Sequence, residues 1–310
     1  MKILSTIVVC ACLLFVAPTT LPAALAIQFD YTYDTGNFFS GPNASRRALL
    51  DAAAGVFESR LTSENFGAIT PSGSNTWSLS FPHPTTGAIE TLNNPLIPAN
   101  TIIIYPGARD LPGTFIGSAS YEYSFSGDAS WANQFQARDS VTNFDSFGGA
   151  IAFDTLTSWY FDTDPTTLES FPGQFDFFSV AQHEIAHLLG ITGGAIAFSA
   201  DTSGTSFTGA NVSALYGGPA PLAPDLDHFQ EGLIFGGAEV LMDPSINSGQ
   251  RKIATELDFA LLSDIGYSVS PVAIPETSPA LLMLLIMTAT IVYQWYQVRA
   301  FSSHRDRQSS

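Results

Sequence analysis

The spacing of apolar residues along the chain predicts alternating strands and helices. Residues 27–33 alternate apolar and polar side chains with the period of a strand, whereas residues 43–61 repeat apolar side chains at helical offsets. Further short strands, punctuated by Gly, Pro, Asn and Ser, are predicted at 77–81, 101–105, 119–125 and 150–153. This order of elements predicts an α+β fold built on a twisted mixed sheet.

Two apolar segments are predicted to lie in the core. Residues 102–104 are three consecutive isoleucines, as expected for a strand that is covered on both faces. Residues 159–161 form the aromatic segment Trp-Tyr-Phe, for which a place in the core is favoured over a role in cradling a substrate.

The clearest helical pattern covers residues 177–189. Its apolar face consists of Phe178, Ala181, Ile185, Leu188 and Leu189. Asp176 stands at the position of an N-cap, and Gly190 stands where a left-handed residue would end the helix. The pattern therefore predicts a helix with a defined start, a defined end and one face in the core.

This helix carries the sequence His183-Glu184-Ile185-Ala186-His187. Residues four apart lie one above the other on a helix, so the imidazoles of His183 and His187 can converge on one metal ion. Glu184 lies about 100° further round the axis, within reach of a water on that metal. The spacing is typical of zinc hydrolases. The alternative is a chance pattern on a buried helix, and the caps and the apolar face favour the metal site.

A long insertion and a second helix follow the motif. Residues 191–224 are rich in Gly, Ser, Thr and Ala with little periodicity, which predicts an irregular insertion of functional or mobile character.

Thr255, with Asp258 three positions later, predicts a helix that begins with a variant of the capping box. Gly266 is predicted to end it. The predicted core face is formed by Leu257, Ala260, Leu261 and Ile265.

A catalytic zinc site usually takes three protein ligands, so a third ligand is needed. The commonest short extension of the motif would place a histidine at 193, where this chain has Gly193. Of the five histidines, His83 is interpreted as a surface residue in a loop between prolines and His304 belongs to the tail, which leaves His228. The alternative, a glutamate on a following helix, finds no Glu in residues 206–215.

The N-terminal sequence predicts export. A positive charge, an apolar run and the small-x-small sequence Ala24-Leu25-Ala26 indicate a signal peptide over residues 1–26. Cys10 and Cys12, the only cysteines, lie inside it, so the chain after cleavage has no thiol for a disulfide or a cysteine switch. A lipoprotein interpretation of Cys12 is disfavoured, because the apolar run before it is short.

The predicted catalytic domain, residues 27–270, is strongly acidic. It holds seven Lys and Arg against 26 Asp and Glu, a formal charge of −19. Such a surface repels phosphate backbones, so no nucleic-acid partner is expected. The charge is interpreted as a solubilising feature of an exported protein.

The C-terminal region predicts attachment to a membrane. Residues 271–279 form a Pro-rich linker, residues 280–298 form an uncharged segment just long enough to span a bilayer, and residues 299–310 form a basic cytoplasmic tail. The sequence Pro275-Glu276-Thr277, the apolar segment and the basic end resemble the PEP-CTERM sorting signal of exopolysaccharide-producing Gram-negative bacteria, with Thr277 in place of the second proline. The resemblance implies a sorting transpeptidase, an exosortase, as partner. The alternative is a plain single-pass anchor.

Residues 176–267 resemble the leishmanolysin-like metzincins. The matching residues are His183, Glu184, His187, Gly190, a distant third histidine at His228, and Met242 in the turn sequence Leu-Met-Asp-Pro. The chain departs from that family at Phe229, where Trp is common. The resemblance implies a two-lobed catalytic domain and makes Met242 the residue of the Met-turn beneath the metal, whereas by itself Met242 is a core residue.

Together the motif and the resemblance predict a secreted, surface-anchored zinc endopeptidase. Zn²⁺ is the expected cofactor, Glu184 the general base, and a protein or peptide the expected substrate. Asp227 and Asp243 are candidates to orient the ligand histidines, although ordinary surface positions are favoured for them, and Tyr267 is a candidate for a hydrogen bond near the site. The competing hypothesis is a catalytically inactive surface or matrix protein that retains the scaffold.

Overall fold

The computed structural model describes residues 25–62 and 66–271. Almost all of the predicted signal peptide, the linker beyond residue 271, the predicted membrane segment and the basic tail lie outside these residues. The chain divides into two compact units, Met1–Val269 and Ser270–Ser310, and the fold below is that of the first. Among the described residues, no helix combines the length and the apolar character needed to cross a bilayer.

A four-stranded sheet forms the centre of this unit. Its strands are β1 (Ala26–Phe29), β5 (Thr101–Arg109), β10 (Gly149–Asp154) and β6 (Gly117–Ser120), in the spatial order β1-β5-β10-β6. The first three are parallel, and β6 runs antiparallel to β10. The predicted α+β class and the twisted mixed sheet are therefore confirmed.

A second sheet packs beside the first and is antiparallel throughout. Its strands, in spatial order, are β4 (Ile89–Asn93), β3 (Thr76–Pro82) and β7 (Glu122–Ser126). The remaining strands of the first half are short pairs. They are β2 (Leu61–Thr62), β8 (Asp139–Ser140), β9 (Asn143–Phe144), β11 (Trp159–Tyr160) and β12 (Phe175–Asp176).

The helices and the later strands surround these sheets. The helices are α1 (Arg46–Glu58), α2 (Ala129–Arg138), α3 (Phe177–Leu188), α4 (Ile196–Ala200), α5 (Ala210–Tyr216) and α6 (Glu256–Asp264). The later strands are β13 (Thr202–Ser203), β14 (Ser206–Phe207), β15 (Ala220–Pro221), β16 (Ile234–Phe235), β17 (Ala238–Glu239) and β18 (Ser268–Val269). Helix α3 packs against α1 and against the edge strand β6, which places the motif at the edge of the sheet.

Apolar residues cover both faces of the central sheet. Ile102 and Ile104 belong to a large core with α1, α3 and α6, whereas Tyr105 belongs to a smaller, mainly aromatic core with α2 and β3. The predicted burial of the isoleucine run on both faces is confirmed. The core prediction for the aromatic segment is confirmed for Trp159, which is buried with its ring against Phe153, and Phe161 packs partly buried against the same core. Tyr160 does not belong to the core, and its hydroxyl donates an exposed hydrogen bond to Glu169.

Several predicted elements differ from those observed. The first strand ends at Phe29 and gives way to a 3₁₀ turn at Tyr31–Tyr33. The predicted strand 119–125 is two strands, because the chain leaves the central sheet at Tyr121 and joins the second sheet as β7. Alternation continues across this crossing, so the pattern gave no sign of it.

Two regions hold more regular structure than their composition predicts. The insertion 191–224 contains α4, α5 and a small sheet of β13, β14 and β15, so its description as irregular is wrong. Helix α2 was not predicted, although Asp128 caps it by accepting a hydrogen bond from the Trp131 amide. Each of these elements is short and is stabilised by packing on its neighbours more than by its own residues.

Candidate metal centre and catalytic cleft

Helix α3 has the start and the end that the sequence predicts. The Asp176 side chain caps its first turn by accepting hydrogen bonds from the amide and the hydroxyl of Ser179. Gly190 follows the helix with a φ of +101°, and a Cβ there would lie 2.8 Å from a ring carbon of Phe144. Both the backbone angle and the lack of space therefore require glycine at this position.

The structure brings three of the predicted site residues together. The Nε2 atoms of His183, His187 and His228 are 3.1 Å from one another in all three pairs. Within the described part of the chain, this is the only group of three or more His, Cys, Asp or Glu residues close enough to hold a metal ion. The distant third histidine thus lies beside the other two.

A tight loop delivers His228 to the helix. The loop is closed by a hydrogen bond from the Ala223 amide to the His228 carbonyl. Asp227 attaches it to the end of α3, because its carboxylate accepts hydrogen bonds from the Thr192 hydroxyl at 2.9 Å and the Gly193 amide at 2.6 Å. The loop that carries His228 therefore contacts Gly193, the position at which the shorter form of the motif would have its third histidine.

Each imidazole is fixed by a hydrogen bond at its Nδ1 atom. The partners are the Leu241 carbonyl for His183 at 3.0 Å, the Ile191 carbonyl for His187 at 2.7 Å, and the Asp225 carboxylate for His228 at 3.0 Å. Carbonyl and carboxylate oxygens only accept, so in the neutral rings Nδ1 carries the proton. All three Nε2 atoms are then bare lone pairs that face a common centre.

This donor set fits a tetrahedral metal ion. Three lone pairs 3.1 Å apart cannot hydrogen-bond to one another and repel unless a cation lies between them. Zinc at its usual bond length of ~2.0–2.1 Å from imidazole nitrogen, in tetrahedral geometry, needs ligand nitrogens ~3.3 Å apart. Burial, together with the neighbouring imidazoles, lowers the pKa of His183 well below its ordinary value and that of His187 to about 4, which keeps both rings neutral.

Glu184 lies beside the three imidazoles in the same cleft. Burial raises the pKa of its carboxyl group to about 8, and a hydrogen bond from the backbone of Ala119 opposes this rise. A cation held by the imidazoles stabilises the ionised form and brings the pKa back toward its ordinary value. Glu184 is therefore a group that can both accept and release a proton near neutral pH.

The Glu184 carboxylate is packed directly against strand β6 at Gly117. A Cβ at residue 117 would overlap a carboxylate oxygen and lie 2.8 Å from the carboxylate carbon. Replacing Gly117 by alanine is therefore expected to displace the Glu184 side chain without touching the histidines. Any hydrolytic activity should fall by about tenfold or more, since general-base catalysis depends on placement.

Two measurements on Gly117→Ala check this prediction. Turnover should fall, whereas zinc affinity should stay at the value of the unmodified chain. A matched control is Gly55→Ala on α1, where a Cβ meets nothing within 4 Å. Unchanged turnover in the Gly117 variant would contradict the close contact with Glu184.

The cleft around these residues has a volume of about 900 Å³. It is lined by residues of α3, by the continuous segment of residues 114–123 that includes β6, and by His228 with residues 243–246. Lys252 also lines the cleft, and its ammonium group is paired to Glu239 and Asp243 at 2.9 and 3.0 Å. The described lining of the cleft therefore holds no unpaired Lys or Arg.

The residues that orient the histidines are not the predicted ones. Asp243 accepts hydrogen bonds from the amides of Gly232 and Ser245 and pairs with Lys252, and Asp227 holds the loop of the third histidine. Neither aspartate contacts an imidazole, and Asp225 is the carboxylate that does so, at His228. The surface position favoured for Asp243 is wrong, because this residue is 1% exposed. Asp225 precedes His228 by three residues in an aperiodic loop, so its sequence position did not distinguish it from Asp227.

Three further predicted residues have clear positions. Met242 is fully buried in the larger core, and its carbonyl accepts a hydrogen bond from the Phe229 amide. Tyr267 is buried with its ring 5.9 Å from that of Phe66 and does not line the cleft, so its predicted hydrogen bond near the site is wrong. His83 is half-buried, and its Nδ1 accepts hydrogen bonds from two amides of its own turn.

The chain matches no protein-family model, no curated protein and no solved structure. The arrangement of the three histidines and Glu184 in the cleft therefore carries the functional inference alone.

Proposed function

We propose that this protein is a zinc-dependent endopeptidase with a metal centre of the metzincin type. The observation that carries the proposal is the convergence of three imidazole Nε2 atoms, 3.1 Å apart, in a cleft that also holds the carboxylate of Glu184. A two-lobed domain, with Met242 in the turn below the metal, belongs to the same proposal.

His183, His187 and His228 would hold the ion, and Glu184 would move the proton. Zinc bound by three neutral imidazoles retains its double positive charge and supplies Lewis acidity to a water and to the scissile carbonyl. Glu184 accepts the proton of the attacking water at a carboxylate oxygen and delivers it to the leaving amide nitrogen. The hydrogen bond from the Ala119 backbone and the contact with Gly117 hold the carboxylate in place for both transfers.

An extended peptide is the substrate that the cleft favours. Strand β6 is the edge of the central sheet, so one side of its backbone has no partner strand among the described residues. Its sequence Gly-Ser-Ala-Ser has neither the charges nor the proline that usually protect such an edge. Small side chains let a peptide approach and pair with this strand, which is the mode of β-strand addition.

The predicted location belongs to the proposal as well. We infer export by the N-terminal segment and attachment to the cell surface or matrix by residues 280–298, with an exosortase as the processing partner. These inferences rest on the amino-acid sequence alone.

The proposed function is tested by metal analysis of the purified chain together with hydrolysis of casein in a gel. We expect about one zinc per chain and cleavage that a chelator abolishes and added zinc restores. His228→Ala should reduce the zinc content, whereas the matched control His83→Ala should retain it. Cleavage that a chelator does not affect would contradict the proposal, and stoichiometric zinc without any cleavage of peptides would favour an inactive matrix protein.

A further inference from the structure

Asp258 is a buried carboxylate that accepts four hydrogen bonds. Its side chain is 1% exposed on helix α6. Two of the hydrogen bonds come from the amide and the hydroxyl of Thr255, both at 2.7 Å, and the one from the amide is half of the capping box. The other two come from the amides of Leu241 and Met242, both at 3.0 Å. The capping role alone accounts for only half of these contacts.

The hydrogen bond from Met242 connects Asp258 to a histidine of the site. The Met242 amide and the Leu241 carbonyl belong to the same peptide group, and that carbonyl accepts the Nδ1 proton of His183 at 3.0 Å. A single peptide group thus lies between the carboxylate of Asp258 and the imidazole of His183. The remaining amide, that of Leu241, belongs to the preceding peptide group and has no such connection.

We propose that Asp258 is a positioning residue for the metal centre and acts on His183 through the Leu241–Met242 peptide group. The inference rests on the proposed function only in that the three imidazoles hold a metal. A negative charge at the N–H end of a peptide group increases the electron density on its carbonyl oxygen, because successive hydrogen bonds polarise one another. The carbonyl then holds the His183 Nδ1 proton more firmly and makes Nε2 a better donor.

The chain of hydrogen bonds from His183 to Asp258 is a longer form of a contact that histidine ligands of metals commonly make directly. A ligand histidine usually donates its other N–H to a carboxylate or a carbonyl, which fixes the tautomer and strengthens the ligand. His228 has the direct form, since its Nδ1 lies 3.0 Å from the Asp225 carboxylate. At His183, Nδ1 instead donates to the Leu241 carbonyl. The amide end of that same peptide group, Met242 N–H, donates to the Asp258 carboxylate.

The same helix offers a matched control for Asp258. Asp264 also accepts hydrogen bonds from two consecutive amides, those of Asn211 at 2.7 Å and Val212 at 2.9 Å. These amides lie on α5 and are not connected to any of the three histidines. Asp264→Asn and Asp258→Asn therefore remove the same charge from similar contacts, and only the second acts on the site.

The test is the zinc affinity of the full chain, measured by competition with a chromogenic chelator. Asp258→Asn is expected to weaken zinc binding by about 10- to 100-fold, as the loss of groups behind a ligand does, and Asp264→Asn by less than about threefold. Equal affinities in the two variants, or equal losses, would overturn the inference and leave Asp258 a capping residue. Absence of zinc binding by the unmodified chain would instead overturn the proposed function.

A second measurement needs no substitution at Asp258 and covers the case in which that variant does not fold. The chain has four methionines, so ¹⁵N-methionine labelling reports the Met242 amide among at most four signals. On zinc binding, we expect the Met242 amide proton to shift downfield, because the metal draws electron density from His183 and strengthens both hydrogen bonds of the peptide group. A Met242 signal that zinc leaves in place would overturn the inference.

Discussion

Replacing Glu184 by glutamine is expected to abolish nearly all hydrolysis while zinc affinity stays unchanged. Glutamine has the size and shape of glutamate, so the contact with Gly117 and the packing of α3 are retained. It cannot accept and return a proton, and the loss of a general base lowers turnover by about 10²- to 10⁴-fold. The three histidines, which are the proposed metal ligands, remain in this variant.

Steady-state kinetics on a peptide substrate, with zinc content determined on the same sample, checks this expectation. Glu90→Gln is the matched control, since Glu90 lies on β4 and does not line the cleft. That variant should hydrolyse the substrate at the rate of the unmodified chain. Wild-type turnover in Glu184→Gln would exclude the proposed role of the carboxylate, and loss of zinc would show that Glu184 itself contributes to the metal centre.

Replacing Arg251 by glutamine is expected to lower the free energy of unfolding by about 3–5 kcal/mol, the usual cost of breaking a buried ion pair. Arg251 hydrogen-bonds to Asp162 at 2.6 Å and to Asp176 at 2.8 Å, and the side chains of these aspartates are 3% and 0% exposed. Without the guanidinium, two buried carboxylates lose their partner. Because Asp176 caps α3, the loss also loosens the start of the helix that carries two of the proposed metal ligands.

Urea denaturation followed by circular dichroism gives the required free energies. The control is the exposed pair of Arg60 and Glu256, in which the glutamate side chain is 48% exposed. Glu256→Gln should cost less than about 1 kcal/mol, since water screens such pairs. If Arg251→Gln lowered the free energy of unfolding no more than Glu256→Gln does, the result would contradict the buried ion pairs of Arg251.

The difference in the free energy of unfolding between Arg251→Gln and the unmodified chain should depend on pH. Burial raises the pKa of Asp162, but hydrogen bonds from the Asp164 amide and from Arg251 outweigh it, so the pKa is lower in the folded state than its ordinary value. A lowered carboxyl pKa stabilises the fold above the unfolded pKa and loses that effect as pH falls. The difference in the free energy of unfolding should therefore be largest near pH 7. It should decrease below about pH 4, where aspartate side chains usually become protonated.

Much of the candidate site could be predicted because its determinants are close together in the chain. The cap at Asp176, the spacing of His183 and His187, and the left-handed Gly190 are each set within one or two turns of helix, and all three appear in the structure. His228 was identified by elimination among five histidines together with the resemblance of residues 176–267 to the leishmanolysin-like metzincins, and neither needed knowledge of distance. The structure places it 3.1 Å from both of the others.

The α+β class and the helix with its metal-binding spacing follow from the amino-acid sequence, since periodicity and local capping act over a few residues. The groups that hydrogen-bond to the three histidines become evident only in the folded chain. Asp225 faces His228, Asp258 stands behind His183, and Gly117 leaves room for Glu184. These pairs join loops, strands and helices that are far apart in the chain, and aperiodic segments carry no signal of which side chains will meet. Their partners are fixed by packing, which the whole fold determines.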